Sequence, residues 1–333
     1  MNGSSRALTG SEREKTMFGN KDIPVYLFCG FLESGKTTCI REIIEEGNFA
    51  DGKRSLLILT EQGEEELDEM LLRAHKIDVI TVEDEDEFTE TVCIHNQRKY
   101  RSDRVIIEVN GMWNLDSIYN KVLPENWVVV QCFTTVNAQT FDMYVNNMKS
   151  MMMPQFQLSD MVIFNRCNSE MNKPSMRRAV KGINRMAQVL FESEDGTVEN
   201  NIEEELPYDI NASNITLEDD DFGLWYIDVT ENPEKYEGKT ITFKGQVYRS
   251  QNFPGGTFVP ARAAMTCCAD DIQKIGFLCH AEGAEQLAID SWVNVSVKVK
   301  PEFNPGYQQM YPVLWADKVE PAEPPEEEVV YFS

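Results

Sequence analysis

Histidine is scarce in this chain, three in 333 residues, so no His-rich tract stands ready to store or pass on metal. Basic residues are outnumbered: 31 Lys and Arg face 56 Asp and Glu, for a formal net charge of −25. A surface of that sign repels phosphate backbones and anionic lipid, which argues against nucleic acid or a membrane surface as the main partner. No run of about 18 apolar residues occurs, so no segment reads as a bilayer span. Residues 1–20 are polar without an apolar centre, so no secretory signal is visible, and they read as a loose extension. The eight cysteines lack regular spacing and resemble intracellular thiols rather than a disulfide framework. A reducing cytoplasm is the expected compartment. No internal repeat is found.

Enough apolar residues are present, 42%, to build buried cores, and the length suits two domains at about 150 residues each. Between 23 and 193, β-rich apolar runs (25–29, 55–60, 79–82, 104–109, 127–135, 161–165, 188–192) alternate with helical stretches (36–46, 64–74, 138–151, 175–186). Consecutive apolar positions such as Val105-Ile106-Ile107 suit strands covered on both faces. The alternation predicts an α/β domain with a doubly wound, mostly parallel sheet over 21–193. Residues 191–221 then hold seven Glu, five Asp and no Lys or Arg. They read as an acidic linker, 194–221, in which 206–210 could be ordered. Beyond it, short runs at 224–229, 240–248, 275–279, 292–300 and 313–319 predict a small all-β domain over 222–320. An oligonucleotide/oligosaccharide-binding type of barrel is the first expectation, with 321–333 a loose acidic tail. Trp225, Tyr226, Phe243, Tyr248 and Phe277 are expected in its core rather than under stacked bases, since a stacking platform needs a basic groove.

Gly30-Phe31-Leu32-Glu33-Ser34-Gly35-Lys36-Thr37 fits G-x-x-x-x-G-K-[ST], following an apolar strand and opening a helix. Glycines let backbone N–H groups turn toward phosphate oxygens, and the helix N-terminus adds its positive end. Lys36 would bridge the β- and γ-phosphates and the Thr37 hydroxyl would hold Mg²⁺. Glu33 is out of place in such a loop unless its carboxylate points outward. Glu108 ends a buried strand just before Asn110-Gly111, where a carboxylate reaches Mg²⁺ directly or through water. Gly111 could let the backbone approach a γ-phosphate.

These residues resemble the CobW-like branch of the metallochaperone GTPases, relatives of the hydrogenase and urease nickel-insertion GTPases, over about 23–192. The stretch 30–38, through Thr38, is similar to the family's G-F-L-G-A-G-K-T-T. Thr60-Glu61-Gln62-Gly63-Glu64-Glu65-Glu66-Leu67-Asp68 is similar to its N-E-F-G-x-x-x-I-D switch. Glu108-Val109-Asn110-Gly111 matches E-x-x-G, Thr135-Val136-Asn137-Ala138 is similar to V-V-D-A, and the base-reading N-K-x-D falls on Asn165-Arg166-Cys167-Asn168. The resemblance implies a G-protein type of triphosphatase that binds GTP and Mg²⁺. Thr37 would ligate the ion, with Asp68 and Glu108 reaching it directly or through water.

Two departures stand out. The family's Asp accepts two hydrogen bonds from guanine; Asn168 accepts one and places a donor beside a donor, weakening guanine preference by on the order of 1–3 kcal/mol. ATP or a xanthine nucleotide thus stays open, and the Arg166 stem can still stack on a base. At the family's C-x-C-C metal site stands Cys93-Ile94-His95-Asn96. Two ligands do not close a tetrahedral zinc site, and both residues also suit an ordinary helix.

A denser cluster lies further on: Cys267, Cys268, Asp270 and Asp271, then Cys279 and His280. A Zn²⁺ site, a redox thiol pair and buried structural cysteines are all open, because adjacent strand residues point to opposite faces. Arg262 nearby suits an anion or a surface carboxylate. The stretch from 233 to 293 resembles a poorly characterised β-domain found attached to small bacterial membrane proteins that pair with a permease; this supports a domain boundary and supplies no chemistry. The expectation is a Mg²⁺-dependent GTP switch with Lys36 and Glu108 central to slow hydrolysis. Its switch stretches contain no obvious arginine finger, leaving a homodimer or unknown protein partner to complete the site. The alternatives are a nucleotide-sensing adaptor and a zinc- or thiol-handling protein.

Overall fold

A computed structural model describes residues 22–47, 49–200, 202, 205–265, 272–306 and 308–332. They fall into two compact units, one running to Met171 and taking in Met186–Asn201, the other holding Asn172–Arg185 and Ile202–Ser333. The extension expected at 1–20 lies outside the described residues.

The first unit is built on β1 (Ile23–Cys29), β2 (Ser55–Leu59), β3 (Ile77–Thr81), β4 (Arg104–Glu108), β5 (Trp127–Asn137), β6 (Met161–Cys167), β7 (Gln188–Ser193) and β8 (Val198–Glu199), in the order β3-β2-β4-β1-β5-β6-β7-β8. All pairs are parallel except β7–β8. The helices α1 (Lys36–Glu45), α2 (Glu69–Ala74), α3 (Glu90–Tyr100) and α4 (Phe141–Gln157) connect these strands. Central strands are buried on both faces, which explains their unbroken apolar runs. Val105 and Ile107 enter one core with Val25, Leu27, Leu56 and Ile58. Ile106, between them, enters the other with Phe28, Leu57, Ile40 and Ile44. The doubly wound α/β architecture is thus observed.

Several bounds differ from expectation. Helix was expected from 64, yet α2 starts after Asp68, whose carboxylate accepts from the Met70 N–H at 2.7 Å. The three glutamates at 64–66 lie outside the helix, where their mutual repulsion is not concentrated on one helical turn. Helix α4 extends past 151 and breaks its regular geometry at Met148 (φ −137°, ψ 30°), with Pro154 inside it.

The second unit includes α5 (Lys173–Lys181), expected in the first domain, together with β9 (Asn214–Thr216), α6 (Phe222–Glu231), β10 (Thr240–Tyr248), β11 (Thr257–Met265), β12 (Ile272–Ile275), β13 (Cys279–His280), β14 (Trp292–Asn304), β15 (Gln309–Pro321) and β16 (Val329–Tyr331). Pairings β10–β14, β14–β15, β15–β13, β13–β11 and β11–β10 close a ring.

The run 224–229, expected as a strand, is helical. Gly223 and every residue from Trp225 to Thr230 is buried in α6, and a helix buried all round shows the same continuous apolar run as a core strand. Glu218 and Asp221 form a reciprocal capping box just before it. Strand β9 lies in the stretch expected as linker. The tail expected to be loose carries β16, parallel to β11, with Val330 and Phe332 buried. Trp225, Tyr226, Phe243 and Phe277 are core residues, as expected, whereas Tyr248 is 39% exposed. Arg262 is buried beside Asp219 (3.6 Å) and donates to the Glu327 carbonyl (2.9 Å), so it faces a carboxylate and the tail backbone. No described helix is long and apolar enough to cross a membrane.

Candidate nucleotide-binding site

The stretch 30–35 leaves the C-terminal end of β1, the central strand, and leads into α1. Ligand crevices of open α/β sheets lie at such strand ends. Gly30 has φ 134°, and a Cβ there would stand 2.4 Å from both the Ser34 hydroxyl and the Thr135 carbonyl. No side chain fits that turn. Ser34 is buried and its hydroxyl pairs with that of Thr135 at 2.9 Å. Gly35, with φ 95°, precedes α1. Glu33 is also left-handed (φ 62°) and exposed. That exposure is in keeping with the outward carboxylate that the sequence requires there.

Lys36 is 3% exposed. Its ammonium donates to the carbonyls of Gly30 and Phe31, both at 2.9 Å, and pairs with Glu61. The cation is therefore held at the mouth of the loop by groups that a phosphate can replace. The Thr37 hydroxyl donates to Glu108, 3.0 Å from Oε1 and 3.1 Å from Oε2. Thr38, half-buried, follows in the first turn of α1. Glu108 is 3% exposed. Burial raises its pKa above 4.5; the Lys36 charge and the Thr37 hydrogen bond oppose the rise, and Glu61 adds to it.

Gly111 packs on the loop: a Cβ there would lie 2.4 Å from the Gly30 oxygen and 2.7 Å from the Phe31 Cα. The turn before it is pinned by Thr60, whose hydroxyl donates to the Glu108 carbonyl (2.9 Å) and accepts from the Asn110 N–H (2.6 Å).

From the end of β6, Asn165 donates to the Ser34 carbonyl at 2.7 Å, and its own Oδ1 is buried with no partner among the described residues. Arg166, with φ 56°, donates to the Glu33 carbonyl at 3.1 Å. These two residues tie the candidate base-reading segment to the phosphate loop. Asn168 is exposed and accepts from the Glu170 N–H at 3.0 Å.

The structure thus brings together Gly30, Ser34, Gly35, Lys36, Thr37, Glu108, Gly111, Asn165 and Arg166. Asp68 is not brought to Thr37: it is exposed and its carboxylate caps α2. Thr60, Glu61, Thr135 and Gln155, which donates to the Gly111 carbonyl at 3.0 Å, also join the site, although the sequence assigns none of them an individual binding role. Thr60 and Glu61 carried a signal, standing in the switch-like stretch; nothing local marks Gln155.

The candidate metal ligands that lie among the described residues are not brought together. Cys93 is fully buried and burial pushes its thiol up to about 12, while His95, two residues along the same helix, is exposed. Residues two apart on a helix do not face each other. Cys279 sits in the core of the second unit, its thiol also pushed up to about 12 by burial. Its neighbour His280 stacks on Trp315 with ring centroids 4.2 Å apart. As adjacent strand residues they point to opposite faces and do not form a joint site. Cys267, Cys268, Asp270 and Asp271 lie outside the described residues. Among the described residues, no group of three or more His, Cys, Asp or Glu is placed to hold a metal.

Comparison with known proteins finds two family models on the chain, and their bounds differ from those of the two compact units in that the first takes in 172–185. Residues 24–191 match the family model described as the CobW/HypB/UreG nucleotide-binding domain. Residues 193–332 match one described as the DUF1980 C-terminal domain. A curated relative, the zinc chaperone CobW of a Sinorhizobium species, is 33% identical over 103 residues. That match takes in 27% of this chain and spans only 28% of the relative's length.

Among solved structures, a Zn(II)-bound triple mutant of the YjiA GTPase matches at 22% identity and TM-score 0.40, over 52% of this chain and 58% of that one. The hydrogenase maturation factor HypB from Archaeoglobus fulgidus matches at 19% identity and TM-score 0.37, over 53% and 83%. The first family model takes in half of the chain, the half that carries the loop, Glu108 and Asn165. The chain therefore belongs to the CobW/HypB/UreG family, through its nucleotide-binding domain.

Proposed function

We propose that this protein binds GTP with Mg²⁺, hydrolyses it slowly, and uses the change of nucleotide state as a switch. The observation that carries the reading is the cradle itself. Buried Lys36 lies on the loop carbonyls, and the hydroxyl of the next residue reaches Glu108 at 3.0 Å. The donor set fits Mg²⁺: a hydroxyl and a carboxylate are hard oxygen ligands, and the ion ordinarily keeps several waters besides. Thr37 and Glu108 would hold the ion, which when bound would neutralise phosphate charge. Asp68, placed as a cap, is not needed for that set.

The protein's own groups supply the rest. Lys36 exchanges its contact with Glu61 for phosphate oxygens. The amides of 30–35 and the N-terminus of α1 receive the remaining oxygens. Gly111, already against the loop, meets a third phosphate if one is present. Asn165 and Arg166 hold the segment that flanks the base, and Asn168 leaves base selectivity weaker than an Asp would. A γ-phosphate would order 60–68 and the Gly111 turn, and its loss would release them.

Membership of the family and the zinc-chaperone relative support metal or cofactor handling as the purpose of the switch. Buried Cys93 and exposed His95 give no support to a cargo site on α3. A second reading, nucleotide sensing without turnover, is favoured by one observation: Asn168 is engaged with its own loop, at Glu170.

Phosphate release from GTP, ATP and XTP by the intact protein separates these readings. Slow turnover that needs Mg²⁺ and falls at least about tenfold in Lys36→Ala supports the switch. Binding without release of phosphate supports the sensor. Binding of no purine triphosphate overturns both.

A further inference from the structure

We propose that Gln155 is a positioning residue for the third phosphate, a role that rests on the nucleotide reading above. Gln155 lies just beyond Pro154 in α4 and is 6% exposed. Its side-chain amide donates to the Gly111 carbonyl at 3.0 Å. Gly111 in turn is in backbone contact with the phosphate loop. The turn Glu108–Gly111 is therefore clamped from two sides. Thr60 fixes the Asn110 amide at 2.6 Å, and Gln155 fixes the Gly111 carbonyl. Between the two clamps lies the Gly111 N–H, the group a γ-phosphate would meet.

The clamp has a rigid base. The Gln155 backbone carbonyl accepts from Ser159 Oγ at 2.7 Å, and Ser159 pairs with the Thr134 hydroxyl on β5 at 2.5 Å. Gln155 also lines two spaces. One, a cavity of about 60 Å³, is lined also by Phe31, Thr135 and Tyr144. The other, a groove of about 350 Å³, is lined also by Met112, Trp113 and Met151. The same amide lies 3.5 Å from the Met151 carbonyl of its own helix, so the shorter contact to Gly111 is the one that joins two elements, and without it the Gly111 peptide has one fewer restraint. On this reading a diphosphate, which lacks the third phosphate, does not draw on the clamp.

Affinities of GDP and of a non-hydrolysable GTP analogue, both with Mg²⁺, test the proposal on the intact chain, Gln155→Met and Gln155→Asn. The first variant keeps the volume and loses the donor. The second keeps an amide but is one methylene too short, and it serves should the first fail to fold. The expected result is a loss of about five- to tenfold for the triphosphate analogue, the scale of one hydrogen bond, with GDP within about twofold. Equal losses for both ligands would make Gln155 merely structural and overturn the proposal; so would unchanged affinity for the analogue. If the unaltered protein binds neither ligand, the nucleotide reading falls first and the proposal with it.

Discussion

Asn168 differs from a carboxylate by one group, and that group sets how a base is read. The side chain is exposed and bonded to its own loop at Glu170, so substitution there disturbs no core. Asn168→Asp is expected to tighten GTP by about tenfold and leave ATP within about twofold, since a charge-assisted pair to guanine replaces a single neutral bond. Competition binding with the two nucleotides checks it, and equal gains for both would contradict it.

Glu108 carries a second residue-scale expectation. Burial raises its pKa above 4.5, so between the unfolded and folded values the native state holds a proton that the unfolded chain has lost. Ionised Glu108 thus costs stability above the folded value, and the cost is relieved as pH falls toward about 4.5. Glu108→Gln should be more stable than the parent near pH 7 without nucleotide, with the gap narrowing on acidification. Denaturant midpoints across that range test the sign, and a gap that widens on acidification contradicts it. The same substitution should weaken Mg²⁺-dependent binding, as a neutral amide is the poorer ligand.

At the scale of elements, the last strand shows what composition hides. Residues 321–328 are rich in Pro and Glu, and that texture masked the apolar Val329-Val330-Tyr331-Phe332 beyond it. Strand β16 joins β11 in parallel, and the Phe332 ring packs where Gly182 and Gly223 leave room; a Cβ on Gly182 would come within 2.5 Å of it. Phe332→Ala is expected to cost about 3 kcal/mol in unfolding of the second unit. A loss below about 0.5 kcal/mol, the range of ordinary surface substitutions, would contradict the assignment of Phe332 to the core.

Legibility varied among elements for physical reasons. The parallel strands were readable because burial on both faces writes itself as consecutive apolar residues. Helix α6 was not, because full burial erases the 3.6-residue period that separates a helix from a strand. Strand β11 is not legible in the sequence because Pro260, Arg262 and three alanines break the β-rich pattern. In the site, the contiguous loop 30–37 was legible, whereas Gln155 reaches Gly111 from 44 residues away. Only tertiary structure brings those two together.

For the whole molecule, a charge of −25 makes any anionic ligand approach against the mean field of the chain. Binding a triphosphate therefore depends on locally concentrated positive groups: one buried ammonium, the loop amides and a helix N-terminus. Lys36 is the single full charge among them, and it is already held between two carbonyls and Glu61. Calorimetric titration of GTP with Mg²⁺ into the intact chain, beside Lys36→Ala, measures this balance most directly. Saturable heat at one nucleotide per chain, lost or weakened at least about a hundredfold in the variant, is the predicted result. Equal binding by both proteins, or no heat from any purine triphosphate in either, would contradict it.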